Sequence, residues 1–179
     1  MMIGLARFLR RLRGDRRGVS AVEFALLAPV MIAFYFGACE FCQGFMAQKR
    51  IGHIASTVAD LIAQDDNITT SEMNDIFTVS NTLIRPFPNS GLTQRASSVA
   101  VDTNGVARVQ WSRGSGMTAR AANSVVTLPT GMAAKGESVI MTEIAYAYQS
   151  PVGYVLPGVT NLRRTYYLRP RLVDNITFD

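Results

Sequence analysis

The sequence predicts a membrane-anchored α+β chain: a long N-terminal helix, a second short helix and a small antiparallel sheet of about four strands. Three observations predict it. A basic head runs into an uncharged apolar stretch. Apolar residues then continue at helical spacing beyond that stretch. After residue 90 the pattern changes to alternation. Apolar residues make up 48% of the 179 and charged residues 17%, which excludes a disordered or coiled-coil composition.

The net charge is +5, and all of it lies in the head. Residues 1–18 hold Arg7, Arg10, Arg11, Arg13, Arg16 and Arg17 against Asp15. Residues 19–179 therefore hold 18 − 6 = 12 bases and 13 − 1 = 12 acids. A neutral body argues against a nucleic-acid partner. The arginines instead read as a topology signal that keeps the N-terminus cytoplasmic.

From Phe24 to Cys39 no residue is charged, and Val19–Cys39 carries only Glu23. A helix of that length spans roughly 30 Å, the thickness of a hydrocarbon core. Pro29 inside it is expected to kink or loosen the helix. A cleaved secretory signal fits less well, because the run is long, carries Glu23 and lacks an A-x-A exit. A lipoprotein signal ending at Cys39 has Phe36 where a smaller aliphatic belongs. A retained signal anchor fits best.

Beyond the anchor, Ile51, Ile54, Ala55, Val58, Leu61 and Ile62 keep the 3-4 spacing of one apolar face. The long helix is therefore expected over about residues 19–64, with Gly37, Gly44 or Gly52 as loosening points. Thr69-Thr70-Ser71-Glu72 has capping-box spacing, so a second helix should follow with Met73, Ile76, Phe77, Leu83 and Ile84 as its stripe. Arg85-Pro86-Phe87-Pro88 stops it.

Ser98–Val101 and Ala107–Trp111 flank Asp102-Thr103-Asn104-Gly105 as a hairpin. Residues 114–137 read as a loop with room for one helical turn. Ser138–Gln149 alternates, with Ile140, Ile144, Tyr146 and Tyr148 on one face apart from Thr142. Thr165–Val173 is expected as a last strand, at an edge because Pro170 cannot donate to a ladder.

The junction Arg16-Arg17-Gly18-Val19-Ser20-Ala21-Val22-Glu23-Phe24 carries a resemblance. GVSAVEFALLAPV is similar to the start of the TadE-like pseudopilins of tight-adherence (Flp-type) pilus systems. Glu23-Phe24 replaces the Glu-Tyr of the major pilins, which suits the TadE-like members. The resemblance implies a cut between Gly18 and Val19 by a prepilin peptidase. It also implies an ion pair between Glu23 and the new Val19 amine, in the same or a neighbouring subunit. It implies a minor pilin or pseudopilin in the bacterial inner membrane, with the head periplasmic or carried into a fibre. The division is then a leader (1–18), a transmembrane helix (19–43) and an exported head (44–179). The implied partners are the peptidase, other pilin subunits, the inner-membrane assembly platform and the lipid bilayer. A side-chain-free residue at the scissile bond and a buried carboxylate needing a partner make physical sense of both sites.

Little points to catalysis, a cofactor or a metal. His53 is the single histidine, and Cys39 and Cys42 lack a second pair to complete a zinc site. The two cysteines are expected as small packing residues, and Glu40 between them as a solvated acid at the outer boundary. No nucleophile elbow or phosphate loop is present. The arginines and tyrosines of residues 146–171 form a candidate surface, read as a subunit contact or a solvent-facing edge. An uncleaved periplasmic assembly factor, and an anchored envelope hydrolase or ligand-binding protein, are the competing functions.

Overall fold

The chain from Val19 has no strong helix terminator before the acidic pair Asp65-Asp66, and its first element is correspondingly long. The computed structural model describes residues 18–151, 153, 158 and 160–179. Helix α1 runs over Val19–Ala63, 45 residues. Pro29 lies within it, and the helix continues through Gly37, Gly44 and Gly52. Proline removes only its own N–H, and apolar surroundings offer the neighbouring backbone groups no better partner than the helix.

The outer part of α1 buries Ala47, Ile51, Ile54, Ala55, Val58 and Ile62 in the core, the stripe that the spacing predicts. Its C-terminal carbonyls need partners. Arg171 supplies one, its backbone N–H donating to Ala63 O at 3.0 Å. Strand β1 (Asn67–Ile68) follows, then α2 (Thr70–Leu83). The capping box is complete: the Thr69 hydroxyl accepts from Glu72 N–H at 3.3 Å. The Glu72 carboxylate in turn accepts from Thr69 N–H at 2.8 Å. Met73, Ile76, Phe77 and Ile84 are buried, as their spacing predicts.

A 3-10 turn at Asn89–Gly91 leads into β2 (Leu92–Val101), β3 (Ala107–Ser115), β4 (Ser138–Tyr148) and β5 (Thr160–Leu168). The sheet is antiparallel with order β3-β2-β4-β5. In the β2–β3 turn, Asp102 Oδ1 accepts from Asn104 N–H at 2.8 Å and Val106 N–H at 2.9 Å. Gly105 takes φ +84°, a conformation that side chains resist.

One sheet face rests on the helices. Ile140, Ile144, Tyr146 and Tyr148 join the α1–α2 core. Thr142 interrupts the apolar alternation for a reason: its hydroxyl donates to Ala55 O of α1 at 2.8 Å, fully buried. The other face carries a second, smaller core of Val99, Val101, Val109, Val139 and Met141, roofed by Val126, Leu128 and Ala133. The loop 116–137 contains no helix and serves as that roof. A bulge lets β3 serve both cores. Ser98 pairs with Trp111 but Val99 with Val109, so Gln110 is left over and the side chains change face.

Two features differ from the sequence reading. The last long strand is Thr160–Leu168, not Thr165–Val173, although it is an edge strand as expected. Pro170 lies beyond it, where the chain turns to meet the end of α1. The pairing of β1 with β6 (Thr177–Phe178), parallel, was not anticipated. Asn67-Ile68-Thr69 and Asn175-Ile176-Thr177 resemble glycosylation sequons. In the fold they pin the C-terminus to the head: Thr177 Oγ1 donates to Asn67 Oδ1 at 2.7 Å, and Ile68 and Ile176 are buried. Trp111 Nε1 seals this corner by donating to Ile176 O at 2.7 Å.

Candidate functional site

The predicted site lies at the start of α1. Gly18 is its N-cap residue, with φ −89° and no capping side chain, and Val19 is the first helical residue. Val19 and Glu23 are four apart, so they share a helix face one turn from each other. Both are exposed. Arg7, Arg10, Arg11, Arg13, Arg16 and Arg17 lie outside the described residues.

Around and beyond Glu23 the helix is apolar on every side. Phe24, Leu26, Leu27, Val30, Phe34 and Tyr35 are each more than 60% exposed, where soluble folds bury such groups. The most apolar 18-residue window has a mean hydropathy of 1.9, and none of it is buried by the rest of the chain. By length and composition this helix suits a membrane anchor.

Protein packing begins near residue 40. Glu40 is 1% exposed and accepts from Gly153 N–H at 3.1 Å. This corrects the expectation of a solvated acid: Gly153, beyond β4, meets the carboxylate. Burial pushes the Tyr148 phenol up, and the Glu40 charge reinforces the shift. Cys42 is exposed and Cys39 half-buried, both as free thiols, so only Cys39 takes part in packing. His53 is exposed on α1.

The aromatic–arginine group of residues 146–171 does not form one surface. Tyr146 and Tyr148 are buried. Arg169 pairs with Glu137 at 2.9 Å, and Arg171 pairs with Asp60. Tyr154 lies outside the described residues. Arg163 and Arg164 are left exposed on β5. A cleft of about 780 Å³ opens where α1 leaves the apolar segment, between Gln43, Met46, Phe87, Tyr146 and Tyr148. Its lining supplies no nucleophile–base pair. Among the described residues no three His, Cys, Asp or Glu side chains converge on a point.

The segment that contains the junction, the apolar helix and the start of the packed stripe is the part of the chain that matches a known family. Residues 18–60 match the model of the TadE-like protein family. No curated protein and no solved structure gave a match. The TadE-like match begins at Gly18, the N-cap of α1, and ends at Asp60 within that helix. It associates the chain with Tad pilus machinery, and this pilus-associated family is not a family of enzymes. Other pilus components are the partners that the family implies. The head beyond residue 60 lies outside the TadE-like match, so its fold rests on the packing described above.

Proposed function

We propose that this chain is a minor pilin or pseudopilin of a tight-adherence pilus. It inserts with its arginine head in the cytoplasm, and a prepilin peptidase cuts it between Gly18 and Val19. The mature chain is then 179 − 18 = 161 residues long. Residues 19–43 anchor it in the inner membrane, and the head (44–179) stands on the periplasmic side or in the fibre. The observation that carries this reading is the TadE-like match, which begins at Gly18 and takes in Val19, Glu23 and the exposed apolar stretch of α1. A peptidase at the membrane surface would meet a glycine with no side chain to exclude it.

Cleavage makes an α-amine on Val19, one turn from Glu23. A carboxylate carried into hydrocarbon is costly alone, and pairing with an amine offsets that cost. A pair formed with a neighbouring subunit's amine would also set the axial register of assembly. The bulky neutral head suits a subunit present in few copies.

The test is intact mass and N-terminal sequencing of protein purified from cells with and without the peptidase, beside a Glu23→Ala variant. The expected result is a chain starting at Val19 only when the peptidase is present. Glu23→Ala should insert and be cut normally but fail to enter pili. A chain that keeps residues 1–18 in the presence of active peptidase would overturn the processing and favour an uncleaved assembly factor. Normal piliation in the Glu23→Ala strain would overturn the ion pair.

A further inference from the structure

Five exposed cations of the head lie at one level along α1. Arg50 Nη1 donates to Leu83 O at 3.1 Å, which brings the end of α2, and Arg85 two residues on, to the level of residue 50. With the Gln48 amide oxygen facing β5, it accepts from Arg164 Nε at 2.8 Å, which sets Arg163 and Arg164 beside the same turn. Lys49 lies 5.3 Å from the centroid of the Phe45 ring. Lys49, Arg50, Arg85, Arg163 and Arg164 therefore girdle the base of the head. All five are exposed, and none makes an ion pair among the described residues, whereas Arg95, Arg108, Arg120, Arg169 and Arg171 all do; Arg113, over the Phe178 ring, and Lys135 are the other exposed cations without one. The acid nearest this level on α1, Glu40, is buried. The far end of α1 is opposite in sign: Asp65, Asp66, Glu72 and Asp75 are exposed there. The two ends of the packed half of α1 thus carry exposed charges of opposite sign.

The height of the girdle identifies its counter-charge. Large exposed apolar side chains run along α1 from Val19 to Met46. That is roughly 42 Å of helix at about 1.5 Å per residue, close to a bilayer with its headgroup layers. The first cations past this run are Lys49 and Arg50, at the phosphate level. Arg164 is held there by Gln48, Arg163 is its neighbour on β5, and Arg85 follows the end of α2 that Arg50 binds. We propose that this girdle binds the anionic phospholipid headgroups of the leaflet on the head side and seats the head upright on the bilayer. Basic groups at a membrane surface gain from each anionic headgroup they meet, and exposed unpaired cations have little desolvation to offset. The inference rests on the membrane-anchor reading of α1. The acidic end of a second copy could meet the same cations only if the two subunits were offset by roughly 25 Å along the helix axis, from residue 48 to residue 65.

The experiment uses the full chain in nanodiscs of equal phosphatidylglycerol and phosphatidylcholine, with retained lipids identified by native mass spectrometry. Wild type should retain phosphatidylglycerol preferentially. The triple variant Lys49→Gln/Arg85→Gln/Arg163→Gln leaves the Arg50–Leu83 and Arg164–Gln48 bonds in place. It should lose that preference by at least about fivefold. Arg85→Lys/Arg163→Lys keeps the charge and should keep the preference, which separates charge from any effect on folding. Equal retention by wild type and the triple variant overturns the proposal. Weakened cross-linking between copies with unchanged phosphatidylglycerol retention also overturns it and assigns the girdle to the acidic end of a second copy. Carbonate extraction of the wild type from membranes keeps the two readings apart. If the chain is released, the anchor fails and the girdle with it. If the chain stays in the membrane and lipid preference is unchanged, the girdle alone fails.

Discussion

The two halves of α1 are one continuous helix with opposite solutions to the same burial problem. Val19–Phe45 presents large aromatics and aliphatics all round, and the rest of the chain covers almost none of them. Ala47–Ala63 confines its apolar side chains to one stripe and leaves Lys49, Arg50 and His53 outside. The first half needs an apolar solvent, while the second needs a sheet. Side-chain size follows from this difference. The packed half uses Ala47, Ala55, Ala59 and Ala63 between Ile51, Ile54, Val58 and Ile62, so β4, β5 and α2 can approach closely. The free half has almost no neighbour before Glu40 and carries Phe24, Phe34, Phe36 and Phe41.

The largest effect should separate the halves outright. Ile54→Ala deletes a fully buried side chain at the centre of the core and should destabilise the head by about 2–5 kcal/mol. Phe34→Ala removes more atoms from the exposed half and should leave head unfolding within about 0.5 kcal/mol of wild type. Denaturation of both variants in the same mild detergent, followed by Trp111 fluorescence, measures the contrast. Equal losses would mean that the two halves are not energetically distinct.

A smaller effect tests how the packed half is fastened. Thr142→Val keeps the shape but removes the hydroxyl bonded to Ala55 O, and should cost about 1 kcal/mol. Hydrogen exchange should rise in the middle of Ala47–Ala63 and stay unchanged in Val19–Phe45. A variant as stable as wild type would show that packing alone seats the sheet on the helix.

The smallest effect lies just past the end of α1. Hydrogen bonds from the Thr69 backbone N–H and hydroxyl hold the Glu72 carboxyl below its ordinary value of 4.5. A lowered folded-state pKa stabilises the fold above the ordinary value, and the contribution disappears as pH falls through the lowered one. Melting temperature measured down an acid series should therefore drop less steeply for Glu72→Gln than for wild type. Thr69→Ala should also lower stability at neutral pH, by about 1 kcal/mol for the lost cap. Identical acid slopes for Glu72→Gln and wild type would remove Glu72 as a source of the acid sensitivity.

Much of this was legible in the chain because it is local. The uncharged run, the stripe from Ile51 to Ile62, the Thr69–Glu72 box and the Asp102–Gly105 turn each follow from residues a few positions apart. What was misread depends on distant partners. Glu40 looked like a boundary acid because its cover, Gly153, is 113 residues away. The last strand was placed too late because Pro170 follows an alternating run, and only pairing with β4 sets the register. The arginines of residues 163–171 looked like one group until their partners on α1 and the roof loop divided them.

The sequence by itself determined that one helix must serve two environments, since periodicity and charge are written within a few turns. Only the tertiary structure decided which cations are neutralised and which remain free, because an ion pair depends on distance in space. It likewise decided that Thr142 serves α1, that Gln110 switches β3 between two cores, and that the C-terminus closes on β1. These are contacts between elements, and side-chain pattern along one strand carries no information about the neighbour that will meet it.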